Sequence, residues 1–238
     1  LVIASSGGVA DSAQVTVAAG LAAHAATAEV TPHAVAAGAV ATFDAYLLAR
    51  ISGTDTGLNR VEVALPAGYG MPVVSSVQVG GLAVGYADAS RAGAAAVVLV
   101  TGVNDGQLVR VRFTASAPTT ADAVGADFVV SFDDTATAVP MQVASEGDAN
   151  SVADGDSWHV QVDAGPLALL AVTPNTVVCE VDSMIAFTAT GQDAYGNAVV
   201  PAPVWSVTGG VGTITAGGLF TVTAWGSGLV IASRRVCG

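Results

Sequence analysis

Apolar and polar residues alternate with a period of two along most of this chain, a spacing that fits β-strands and not helices. In QLVRVRFTAS (107–116), Val109, Val111 and Phe113 fall on one face, with Leu108, Arg110 and Arg112 on the other. The pattern recurs through Phe128, Val130 and Phe132, through Trp158, Val160 and Val162, and through Val61, Val63 and Leu65. Gly, Asp and Pro turns separate these stretches at intervals of about 8–15 residues, which predicts an antiparallel sandwich. LAAHAATAEV (21–30) has helical composition but no helical stripe, and reads as a linker. The densest apolar piece, GAAAVVLVTGV (93–103), falls well short of the roughly 20 residues of a membrane span and reads as a buried strand. At 238 residues the chain has room for two domains with separate cores.

Charge narrows the partners. There are 19 acidic and 7 basic residues, a net charge of −12, and every basic residue is Arg. Neutralising a phosphate backbone needs clustered cations, so nucleic acid is not an expected partner. Without lysine, neither a P-loop nor a Schiff-base site can be built. Ala, Val and 28 Gly give smooth, lightly charged surfaces suited to packing on copies of themselves.

Few residues suggest chemistry. DAYGN (193–197) has the composition of a tight hairpin turn. The acidic stretch EGDANSVADGDSW offers Glu146, Asp148, Asn150, Asp154 and Asp156 as oxygen ligands for calcium, although it lacks the D-x-D-x-D-G spacing of a calcium loop and reads first as a solvated loop. Asp44 or Asp88 with FDD (132–134) would make a carboxylate pair only if the fold joined them. His24, His33 and His159 stand apart, without metal-site spacing, and Ser227 lacks the elbow of a serine hydrolase. Of the three Trp, Trp158 and Trp205 read as core and Trp225 as exposed, the one candidate for stacking on a carbohydrate. The expectation is a non-enzymatic protein without a cofactor.

One repeat stands out: LVIAS occurs at 1–5 and again at 229–233. Before the second copy run VTPNTVV (172–178), IAFTATGQDAYGNAV (185–199) and WSVTGGVGTITAGGLFTVTAWGSGLVIAS (205–233). In order and content this segment resembles the bacterial Ig-like repeats of cell-surface proteins. The resemblance implies that a Gly turn and one last strand follow an LVIAS-like strand. It also implies that the elements carrying Cys179 and Cys237 lie close together, so the two are expected to form a disulfide. Residues 1–19, LVIASSGGVADSAQVTVAA, read as those last two strands, detached at the other end of the chain. The expected architecture is therefore all-β, two Ig-like antiparallel β-sandwich domains in tandem plus a detached strand segment: the strand segment (1–19), a linker (20–27), a β-sandwich domain (28–165) and a bacterial Ig-like domain lacking its last strand (166–238).

Two functional readings follow. In the first, the chain is the subunit of an extracellular, pilus-like filament or sheath on a bacterial surface. Val9, Ala13, Val15 and Val17 share one face of a strand that completes the Ig-like domain of a neighbouring copy. In the second, it is a stretch of a tandem Ig-like adhesin or stalk, binding carbohydrate or calcium. A mature product cut at Leu1 would suit the first reading, and flanking Ig-like repeats the second.

Overall fold

A computed structural model describes residues 2–6, 9–13, 25–51, 57–88, 95–133, 142–152, 155 and 157–234. Among them there is no helix, and so none long and apolar enough to cross a membrane. The all-β class holds.

At the N-terminus β1 (Val2–Ser6) and β2 (Val9–Ala13) form an antiparallel hairpin that is a sheet of its own. There follow β3 (Ala25–Thr31), β4 (Ala34–Ala36), β5 (Val40–Arg50), β6 (Leu58–Ala64), β7 (Val73–Val79), β8 (Leu82–Ala83), β9 (Ala87–Asp88) and β10 (Ala95–Val103). Next come β11 (Leu108–Ser116), β12 (Asp122–Asp127), β13 (Val129–Asp133), β14 (Gln142–Val143), β15 (Ser145–Glu146) and β16 (His159–Asp163). These strands form a six-stranded sheet, β15-β3-β5-β11-β7-β8, a five-stranded sheet, β14-β13-β6-β10-β9, and a small sheet, β12-β16-β4.

The two larger sheets enclose one core. Phe43, Leu47, Val109, Val111 and Phe113 enter it from the first, and Val61, Val63, Val98, Val130 and Phe132 from the second. Phe43 stacks on Phe113 at 5.4 Å between ring centres and tilts against Phe128 at 5.0 Å. The four alternating sets read between residues 61 and 162 are each buried as a set, except that Leu65 is half-buried. The run at 95–98 is buried on both faces, in accord with its continuous apolar sequence.

The linker reading of 20–27 needs correction at its end. Ala25–Thr31 pairs along the whole of its length with β5, burying Ala26, Ala28 and Val30. Alanine carries too little side chain for its alternation to stand out from a low-complexity run, yet between two strands it packs closely. Residues 20–24 lie outside the described residues.

Beyond Gly165 lie β17 (Leu169–Thr173), β18 (Met184–Ala186), β19 (Thr188–Gln192), β20 (Ala198–Val199), β21 (Pro203–Val207), β22 (Gly212–Ile214), β23 (Leu219–Val222) and β24 (Val230–Arg234). They form three small sheets, β17-β19-β20, β18-β23-β22 and β21-β24. Their core is separate and thin: Phe187, Phe220 and Val222 are buried, while Val172, Ile185, Trp205, Val207, Val211, Ile214 and Val230 are only partly covered.

Candidate functional site: an open apolar groove

Protein interiors are close-packed, with few voids larger than a water molecule. The C-terminal sheets break that rule. A groove of about 920 Å³ runs into their core. Its floor is Val172, Ile185, Phe187, Phe220, Val222 and Val230, and its rim carries Val177, Val181, Trp225 and Leu229. Val178 and Trp225 are almost fully exposed, at 98% and 92%.

Two backbones bound the opening. On one side is the chain at 224–230, which reaches the first residue of β24, a strand whose single ladder partner among the described residues is β21. On the other is 174–181, apolar at Val177, Val178 and Val181 but outside any ladder. An unpaired strand edge beside exposed Val and Leu is a template for another strand. A segment inserted here would find backbone partners at β24 and apolar contact below.

The DAYGN turn does more than reverse the chain. Asp193 accepts hydrogen bonds from Gly165 N (2.8 Å), Tyr195 N (2.8 Å), Asn197 N (2.9 Å) and Asn197 Nδ2 (2.8 Å). Burial works to raise its pKa, but these donors outweigh it and hold the carboxyl at about 2. Asn197 also crosses to the N-terminal sheets: its Oδ1 accepts from Ala121 N (2.9 Å) and its Nδ2 donates to Thr119 O (2.8 Å). Tyr195 lies over Gly38, whose φ of +70° favours glycine and where any added Cβ would collide with the ring. The turn is thus a clamp between the two groups of sheets. Its turn chemistry was legible in the sequence; its partners, 76 and 78 residues away, carried no signal there.

The acidic loop is organised by its own carboxylates. Glu146 accepts from Ser157 Oγ and Trp158 N, Asp148 from Ser151 N, and Asn150 Oδ1 from Val152 N. Asn150 N in turn donates to the buried Glu29. Asp154 and Asp156 lie outside the described residues, among which no group of three or more His, Cys, Asp or Glu is placed to hold a metal ion.

The remaining candidates disperse. Asp44 receives both Arg110 and Arg112 at 2.7–2.9 Å. Its burial acts to raise the pKa, but the two guanidiniums prevail and lower it. Asp133 is in the other large sheet and Asp88 two strands beyond its neighbour, so Asp44, Asp88 and Asp133 are not brought together, and Asp134 lies outside the described residues. His159 contacts Asp127 at 2.7 Å and the Val124 carbonyl, and the Asp127 contact raises its pKa. His33 lies beside the His159 carbonyl, and His24 is outside the described residues. Trp158 is buried and Trp225 exposed, as read from the sequence, and Trp205 is partly buried against the thin core. Cys179 is exposed on the groove side; Cys237 lies outside the described residues, as do Val15 and Val17.

No protein-family model and no curated protein matches the chain. Among solved structures, it is similar to an M1 zinc metallopeptidase from Deinococcus radiodurans. With a mutant of that enzyme bound to a Tyr-Ser-Ala substrate, the TM-score is 0.26 at 14% identity over 88% of this chain. With the M1 zinc metallopeptidase itself it is 0.26 at 13% identity over 89%. The chain spans only 38% and 39% of those proteins, and likeness at this level carries no argument about fold or activity.

Proposed function

We propose that this protein is the structural subunit of an extracellular filament or sheath, in which the strand at residues 9–17 of one copy seats in the groove of the next. The supporting observation is the groove itself: an apolar opening beside the free edge of β24, in a chain that also carries the β24 sequence followed by an alternating strand. Each buried Val contributes about 1.5–3 kcal/mol, and each ladder hydrogen bond about 0.5–1.5 kcal/mol. The cost of ordering the strand is offset against these.

Reach favours a neighbouring copy over the chain's own strand. The clamp holds the C-terminal sheets at the end of the N-terminal sheets where Val40 pairs with Ser116 and Gly38 bonds to Pro118. Ala25 is at the opposite end, beside Arg50. Ten strand residues separate those levels, roughly 33 Å. From residue 17 to residue 25 the chain extends at most roughly 29 Å. It cannot cover even the N-terminal sheets, let alone continue to the groove. A contact between unlike surfaces of successive copies is heterologous, and it propagates as a fibre when the rotation from copy to copy does not close into a ring.

The test compares the full chain with a variant lacking residues 1–19, by sedimentation and negative-stain microscopy. The full chain is expected to polymerise with concentration and the variant to stay monomeric. Equal polymerisation of the two would overturn the reading.

A further inference from the structure

Resting on that reading, we infer that β1 is a placeholder for β24: the N-terminal hairpin holds the donor strand in the register it adopts in the neighbour's groove, and assembly exchanges one VIAS strand for the other. β1 and β24 share VIAS, at 2–5 and 230–233. In the hairpin Val2 pairs with Ala13, Ile3 with Ser12, Ala4 with Asp11, Ser5 with Ala10 and Ser6 with Val9. Carried over, this register sets Val230 opposite Ala13, Ile231 opposite Ser12, Ala232 opposite Asp11 and Arg234 opposite Val9.

The parity of that transfer is a test it could have failed. Residues directly opposite in a ladder project to the same face. Val230 is partly covered by the thin core, whereas Ile231 is exposed. The transferred register places residue 13, and with it 15 and 17, on the Val230 face. That is the inward face, where a strand with Val at 15 and 17 must point. A slip of one residue would turn those valines to solvent.

The two VIAS strands differ at the position that follows: Ser6 after β1's copy, Arg234 after β24's. In the transferred register residue 11 is the diagonal neighbour of Arg234, within reach of a long side chain. The aspartate that interrupts the apolar face of the donor strand thus meets, at the end of β24 and outside the groove, a cation that the hairpin does not offer. A lone two-stranded hairpin is marginally stable, so β1 is readily displaced. It delays pairing with a free edge without preventing it.

The experiment uses the full chain in a Cys179→Ser, Cys237→Ser background, with polymerisation followed by light scattering. With Ser12→Cys and Ile231→Cys, oxidation is expected to give a covalent ladder between copies. With Ile3→Cys and Ser12→Cys, the oxidised chain should stay monomeric and polymerise on reduction. Deleting residues 1–6 should tighten association by a factor on the order of 2–10. Arg234→Ser should weaken it by about 2–5-fold at low salt, and about 1 M salt should erase that difference. If the background chain does not polymerise at all, the filament reading fails. If it polymerises but the Ser12–Ile231 ladder is missing, or the locked hairpin assembles as fast as the reduced one, the placeholder inference is overturned and the filament reading stands.

Discussion

Asn197→Ala should uncouple the two groups of sheets without unfolding either. The side chain makes two hydrogen bonds across the junction, from Ala121 N and to Thr119 O, at 2.9 and 2.8 Å. At about 0.5–1.5 kcal/mol each, their loss amounts to about 1–3 kcal/mol. That shifts the balance between clamped and open junctions by a factor of about 5–150. Asp193 keeps its bonds from Gly165 and Tyr195, so the hairpin itself should persist. Differential scanning calorimetry should then resolve two transitions, the C-terminal one moving down, and proteolysis should gain access to the 163–168 connection. A transition identical to that of the parent would refute the claim that Asn197 couples the units.

Acid should loosen the same junction. Because Asp193 titrates lower in the fold, at about 2, than the ordinary carboxylate near 3.8, its contribution is present above about pH 4 and lost as pH falls toward 2; Asp193→Asn should remove that dependence in acid titrations. His159 has the opposite sign, its pKa being raised by Asp127, so its contribution is full below about pH 6.5 and fades as pH rises through the folded value. An Asp127→Asn variant should flatten the stability profile in that range. Phe113→Ala, at a fully buried ring stacked on Phe43, should cost about 3–5 kcal/mol in denaturant unfolding. Val15→Asp should abolish polymerisation while the outward Thr16→Asp should be milder, measured by light scattering under the same conditions.

Much of the fold was legible because a half-buried strand writes its two faces into the chain. The faces of β11, with Val109, Val111 and Phe113 inward and Arg110 and Arg112 on the other side, follow directly from that alternation, whereas the pairing of both arginines with Asp44 did not. Ala25–Thr31 was less legible, because alanines fit a linker as readily as a tightly packed strand. The groove was half-legible. The LVIAS repeat pointed to an edge at β24, but which side chains lie open beside it depends on how β17, β18 and β23 cross. The junction was not legible at all, since a turn sequence specifies its own reversal and says nothing about what it touches. The acidic loop was ambiguous for a related reason: carboxylates that cap their own backbone, as Asp148 and Glu146 do, have the same composition as carboxylates that bind an ion.

Whether the groove accepts the donor strand is read by titrating a peptide of residues 9–19 into the variant lacking residues 1–19. Trp225 stands at the groove rim, 92% exposed, and reports occupancy through its fluorescence. Seating of the strand should give saturable one-to-one binding with a blue shift, a rise in the melting temperature of the C-terminal sheets, and no binding by a peptide carrying Val15→Asp. Unchanged emission and melting at saturating peptide, or equal binding of the Asp-substituted peptide, would contradict it.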